Sequence, residues 1–223
     1  MALSSAKTGF QNLAMRTSLS KPGPGRGLGG GAAVHFGERF VALAGIHGAN
    51  ARTAENPFAT IDEGEFYESV ELRWLPSGFQ QRRYDQVRIQ VWHQDEREET
   101  GIPSDQGITF AASCLLNDFW MPFAFGGISN GLASTFKSDF VLGVGFGFKT
   151  LHRAARDVLG LSLGWGDPAD DSSQQQYTSE LFYRLQLVSN FAFTPSVQYI
   201  VNPANNPGET EAWVVGLRGR LTF

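Results

Sequence analysis

The chain has 223 residues, 42% of them hydrophobic, and a formal net charge of −4. A mean hydropathy of −0.19, with no run near the 20 or so apolar residues that a spanning helix needs, excludes a helical membrane protein. The mild acidity gives no basic face for nucleic acid, and the single Cys114 excludes an internal disulfide or a multi-thiolate metal site.

Residues 1–11 read as a frayed tail or the remnant of a strand, and residues 12–223 as one all-β domain. Residues 1–21 contain no continuous apolar h-region, so an exported chain of this type is expected to lack its first strands here. Residues 12–20 alternate Leu13, Met15, Thr17 and Leu19 against Ala14, Arg16 and Ser18, which predicts a strand. The Pro/Gly-rich run 21–27 breaks it. Strands are predicted over 28–36 and 40–49 around the tight turn Gly37-Glu38-Arg39, with weak face assignment because glycine and alanine dominate. A polar loop, 50–64, follows.

The strand 65–75 sets Val70, Leu72 and Trp74 against Ser69, Glu71 and Arg73. After Pro76-Ser77-Gly78, the strand 84–94 sets Val87, Ile89 and Val91 against Gln86, Arg88, Gln90 and Trp92. The charged loop 93–107, with Asp95-Glu96-Arg97-Glu98-Glu99, leads to a strand at 108–116. Asn117-Asp118 is a favoured two-residue hairpin connection, and a strand returns over 119–128. A loop over 129–139 precedes a strand in which Phe140, Leu142, Val144, Phe146 and Phe148 alternate with Val141, three glycines and Lys149. The turn Ala154-Ala155-Arg156-Asp157 enters a strand at 158–165, and the acidic loop 167–171 follows.

The last three strands share one design. Leu181, Tyr183, Leu185 and Leu187 alternate with Glu180, Arg184 and Gln186. Across Ser189-Asn190, Phe191, Phe193, Val197 and Tyr199 alternate with Thr194, Ser196, Gln198 and Asn202. Trp213, Val215, Leu217, Leu221 and Phe223 then alternate with Val214, Arg218, Arg220 and Thr222. Aromatics bracketing an apolar row, opposite a charged row, are the pattern of a strand between lipid and water. About twelve strands result, with connections that alternate short and long, as expected of periplasmic turns and outer loops. The fold class expected is a transmembrane antiparallel up-and-down β-barrel.

A resemblance sharpens this. Gln176-Tyr177, Glu180, Tyr183-Arg184, Thr194-Pro195, Gln198, Asn202-Pro203, Gly216-Leu217-Arg218 and Arg220 through Phe223 resemble the C-terminal signature of the carbohydrate-selective (OprB-like) porins. Gly164-Trp165-Gly166, Glu71-Leu72-Arg73-Trp74 and Pro122-Phe123 fit more loosely. The resemblance implies a barrel of about sixteen strands in the Gram-negative outer membrane, so this chain is expected to lack roughly four. It implies passive diffusion of small sugars, no cofactor, contact with outer-membrane lipid and a homotrimer. It also makes Phe223 an assembly signal read by the barrel-assembly machinery. Phe125 stands where the family is expected to carry an arginine.

The polar phase is the expected pore lining: Glu71, Arg73, Arg88, Gln90, Trp92, Glu180, Arg184, Gln186, Gln198, Arg218 and Arg220. Such charges would cost about 2–4 kcal/mol each at mid-depth in lipid. Guanidinium and carboxylate groups can instead bond sugar hydroxyls, and Trp92 can stack on a pyranose; interior ion pairs are the plainer alternative. Two other barrel functions stay open: a plugged structural or adhesive barrel, and an esterase or phospholipase built on Gly127-Ile128-Ser129-Asn130-Gly131. That motif needs a strand-to-helix turn followed by an acid and a histidine, whereas another strand is predicted next. His35, His47, His93 and His152 are scattered, without metal-ligand spacing. A soluble sandwich or lipocalin-like binder would need an apolar interior phase, and the phase here is inverted.

Overall fold

The computed structural model describes residues 3–5, 7–23, 28–50, 58, 63–147, 157–188 and 190–222. Eleven strands form one antiparallel sheet in which each pairs with its sequence neighbours. They are β1 (Gly29–Phe36), β2 (Phe40–Gly48), β3 (Phe66–Trp74), β4 (Gln86–Gln94), β5 (Asp105–Ser113), β6 (Trp120–Ser129), β7 (Phe136–Phe146), β8 (Val158–Pro168), β9 (Gln176–Val188), β10 (Phe191–Val201) and β11 (Glu211–Leu221). Among the described residues β1 and β11 are the two edges and do not pair with each other.

Alternation gives the sheet two unlike faces. Directly opposed residues of a ladder point the same way, so the register carries one face across every strand. Trp74 lies opposite Val87, Leu72 opposite Ile89, and Val70 opposite Val91. Trp213, Val215 and Leu217 lie opposite Tyr199, Val197 and Pro195. Apart from the half-buried Val197 and Tyr199, these side chains are exposed, up to 83% at Val215. Exposed apolar surface of that extent is the signature of a lipid-facing band. Aromatics gather toward its margins, with Trp120 against Phe146 and Tyr199 against Trp213, each pair at 4.5 Å.

The other face is covered from within the chain. The described residues of 3–23 do not form a strand: 12–20 contain only the short 3₁₀ turn Leu13–Met15, and the segment lies across the opposite face of the sheet. The predicted strand fails because the Asn12 side chain accepts a hydrogen bond from the Ala14 N–H, closing a turn, while Phe10 and Met15 are drawn into the sheet's inner cluster. Nor do Leu3 and Phe10 belong to a frayed tail, since both are buried. The twelve predicted strands are thus eleven strands and this N-terminal strap.

The inner face is therefore not polar throughout. Phe10 and Met15 pack with Met121, Phe123, Phe125 and Phe182. Glycines make the room: a Cβ at Gly143 would sit 2.4 Å from the Phe123 ring, at Gly160 2.2 Å from Phe182, and at Gly164 2.6 Å from the Met15 methyl. Glycine on a strand here marks a close approach.

The connections follow the expected parity only at the two ends of the sheet. The turn 37–39 is followed by the long 49–65, and the β9–β10 turn by 202–210. In the middle, 75–85 and 95–104 are of similar length, as are 114–119 and 130–135. The reason is local: after the Leu75–Gly78 turn a 3₁₀ turn, Phe79–Gln81, delays β4. Asn117 and Asp118 do adopt left-handed φ of 52° and 51°, as a two-residue hairpin turn requires. β7 starts earlier and β9 starts earlier than expected, bringing Asp139 and Gln176 into the ladder. Pro24, Gly25, Arg26 and Gly27, most of the predicted loop 50–64, Phe148, Lys149, His152, Ala154, Ala155, Arg156, Ser189 and Phe223 lie outside the described residues.

Candidate functional site: the inner face and its strap

Register places every described candidate lining residue on the inner face. Glu71 lies opposite Gln90, Arg73 opposite Arg88, and Ser69 opposite Trp92. Glu180 lies opposite Gln198, Val158 opposite Arg184, and Arg218 and Arg220 opposite Thr194 and Ala192. Gln186 lies opposite Ala192 at the bulged end of β9. The structure separates them into two groups, one bound to the strap and one beside a cleft.

The strap group is centred on Glu180. Its carboxylate accepts the backbone N–H of Gln11 at 2.6 Å and of Asn12 at 2.9 Å. Charge-assisted bonds of this kind are the stronger class. The Gln11 amide donates to Ser196 Oγ and the Asn12 amide to Gln198 Oε1. Arg184 and Arg218 each donate to a strap carbonyl, those of Thr8 and Gly9, at 3.0 Å. Further along, Asp139 accepts from the Ser18 hydroxyl at 2.5 Å and from the Ser20 N–H at 3.0 Å. Phe10 seats between these polar anchors, edge-on to Phe182 at 4.9 Å and tilted on Phe123 at 5.6 Å. Several of the predicted lining residues thus hold the strap instead of facing open water. Phe125, stacked on Phe123, belongs to the same apolar seat.

The cleft group lies on β2–β4. Glu71 pairs with Arg73 through one oxygen and with Arg88 through the other, the latter at 3.5 Å. This is the ion pairing that sequence left as an alternative to solute contact. From the end of the strap, Lys21 donates to Gln90 Oε1 at 3.0 Å. Burial is the larger influence on the Lys21 ammonium and lowers its pKa; Arg88 adds to that lowering and Glu71 opposes it. A cleft of about 530 Å³ opens beside this cluster, lined by His47, Ser69, Glu71, Arg73, Gln90 and the small residues of β1. Trp92 is buried and stacked on Tyr67 at 6.0 Å, so its ring face is already occupied.

Sequence reasoning passed over Lys21, Asp105 and Asp139. Asp105 accepts the N–H groups of Leu132 and Ala133 and the Ser134 hydroxyl, fixing the 130–135 connection. A visible signal existed for Asp139, which falls in step with Val141 once β7 is extended back to Phe136. The Ser129 hydroxyl is bound up with Ser134 Oγ at 2.7 Å and the Phe136 carbonyl, and β6 turns into β7, not into a helix. That is not a nucleophile elbow. Among the described residues no group of three His, Cys, Asp or Glu side chains is disposed to hold a metal ion.

Comparison with solved structures finds the OprB of Pseudomonas putida in its high-pH structure similar in fold, with a TM-score of 0.69 at 14% sequence identity. The likeness covers 87% of this chain and 58% of that one, so the chain spans less than two thirds of the protein it resembles. No curated protein matches the sequence. A family model described as "Carbohydrate-selective porin, OprB family" matches residues 90–223, from the middle of β4 to the C-terminus. That match covers more than half of the chain, including β5–β11 of the neighbour-paired antiparallel sheet, and the chain belongs to the OprB family of carbohydrate-selective porins.

Proposed function

We propose that this chain builds wall and selectivity elements of a Gram-negative outer-membrane channel for passive, carbohydrate-preferring diffusion, without catalysis. The observation that carries the reading is the one-residue alternation between lipid-type and charged side chains, best seen where exposed Leu72 sits between Glu71 and Arg73. Solutes pass along the cleft side of the inner face, where Glu71, Arg73, Arg88 and Gln90 offer donors and acceptors to sugar hydroxyls. The strap narrows the path by occupying the side formed by β7–β11, so Glu180, Arg184, Gln198 and Arg218 act on solutes through it. Gln186 and Arg220 line the turn end, and Trp92 backs the cleft wall. Outer-membrane lipid, the barrel-assembly machinery acting on Phe223, and a homotrimeric assembly complete the reading.

The test is planar-bilayer conductance and liposome swelling with neutral hexoses, using the protein extracted from outer membranes. Steady conductance with sugar flux is expected. The strap also supports a second reading, a plugged barrel with a structural role. No steady current from the intact protein, with current appearing once residues 3–21 are deleted, would favour that reading instead.

A further inference from the structure

The side-chain cluster beside the cleft carries an excess of positive charge, and we infer that the solute path favours anions, so that sugars bearing a carboxylate pass faster than neutral sugars of the same size. This rests on the channel reading above and adds a substrate class to it.

Among the described residues the inner faces of β1–β4 hold one carboxylate, Glu71. Both of its oxygens are engaged by guanidinium groups, those of Arg73 and Arg88. Lys21 enters the same space from the strap, and its partner there is the neutral Gln90 amide. One negative charge therefore meets three positive ones. The nearest further acid along the register, Asp105, is taken up by the N–H groups and hydroxyl of the 130–135 connection. A second basic row, Arg184, Arg218 and Arg220, lines the inner face of β9–β11, where Glu180 already holds two strap amides.

This distribution runs against the composition. The chain has 22 acidic and 18 basic residues, yet acids cluster in the connection 95–104 and around the end of β8, at Asp167, Asp170 and Asp171. On the strands, Arg73, Arg88, Arg184, Arg218 and Arg220 face inward, and the inward acids Asp105, Asp139 and Glu180 are each taken up by hydrogen bonds to the chain. Low-dielectric walls focus the field of such a cluster along the path and raise the local concentration of counter-ions. Guanidinium forks match carboxylates in geometry as well as in charge.

The experiment is a reversal-potential measurement in a potassium chloride gradient across a planar bilayer. It is paired with liposome swelling in glucuronate and in glucose, using the protein extracted from outer membranes. Chloride is expected to be more permeant than potassium, and glucuronate faster than glucose. Lys21→Gln and Arg88→Gln should each shift the reversal potential toward the potassium side and reduce the glucuronate advantage. Lys21→Gln is the safer variant, because it leaves the Glu71 pairs intact. Conductance without anion preference, or with potassium preference, overturns the inference and leaves the channel standing. Anion preference unchanged in both variants overturns its assignment to this cluster. An absence of conductance in every preparation removes the channel reading and the inference with it.

Discussion

The carboxylate of Glu180 in β9 and the backbone N–H of Gln11 meet at 2.6 Å, tying the start of the chain to a strand 169 residues away. Glu180 is 1% exposed, and its second oxygen takes the neighbouring amide of Asn12. Glu180→Ala leaves two strap amides without an acceptor, a loss of about 1–3 kcal/mol per unsatisfied group. The strap should detach while the sheet persists. Hydrogen exchange at Gln11 and Asn12, accelerated in the variant with unchanged protection in β10, checks this.

Phe10 occupies an apolar seat between Phe123 and Phe182. Phe10→Ala should destabilise the docked strap by about 3–5 kcal/mol, the usual range for losing a buried phenylalanine. Limited proteolysis within residues 3–21 should become rapid, with the remainder of the chain resistant. Loss of resistance throughout would mean that the strap is integral to the sheet.

Leu217 and Arg218 are neighbours on opposite faces. Leu217 is 66% exposed on the outer band, whereas Arg218 donates to the Gly9 carbonyl. Leu217→Arg is expected to cost about 2–4 kcal/mol in lipid near mid-depth, less near the rim. Arg218→Ala should instead loosen the strap and alter ion preference. Unfolding titrations in lipid, beside bilayer recordings, separate the two; tolerance of Leu217→Arg would reverse the assignment of the faces.

Asp157 sits at the entry to β8 and accepts the Gln186 N–H at 2.8 Å and the Tyr183 hydroxyl at 2.7 Å. The backbone bond from Gln186 is the main cause holding its pKa below the ordinary carboxylate value, with the tyrosine bond next. A depressed folded-state pKa contributes stability that is complete above the unfolded value, about 3.9, and is lost as pH falls through the folded value. The end of β9 should therefore loosen only in strong acid. Exchange at the Gln186 amide, followed downward in pH, should show this transition, and Asp157→Asn should abolish it.

Deleting Phe223, which lies outside the described residues, should impair outer-membrane assembly. The outer-membrane fraction of the deletion variant, compared with the intact chain, measures it. Normal insertion would leave no assembly role for that residue.

The face assignment was readable because alternation is a strict consequence of strand geometry. Once Leu72 is outside, Glu71 and Arg73 must be inside. The strap was not readable by the same rule. Leu13, Met15 and Leu19 mimic a strand's alternation, and only the Asn12 cap and the absence of a ladder partner distinguish the segment. Phe125 was the visible clue. An apolar side chain where a lumen charge was expected marks a surface already covered, and Phe123 and Phe182 share that covered patch. Loop parity failed in the middle of the sheet because strand ends are set by local turns such as Phe79–Gln81, not by which side of a membrane they occupy.

The strap also imposes an order of folding. Every strand pairs with its sequence neighbour, so the sheet can grow hairpin by hairpin, each step closing a short loop. The bonds from Gln11 and Asn12 to Glu180 join residues 169 and 168 positions apart, and closure entropy rises with the logarithm of loop length. Their binding site on β9 and β10, and the ring seat of Phe182, exist only after those strands have paired. The strap precedes every strand of the sheet in sequence, yet it is the last to find its place.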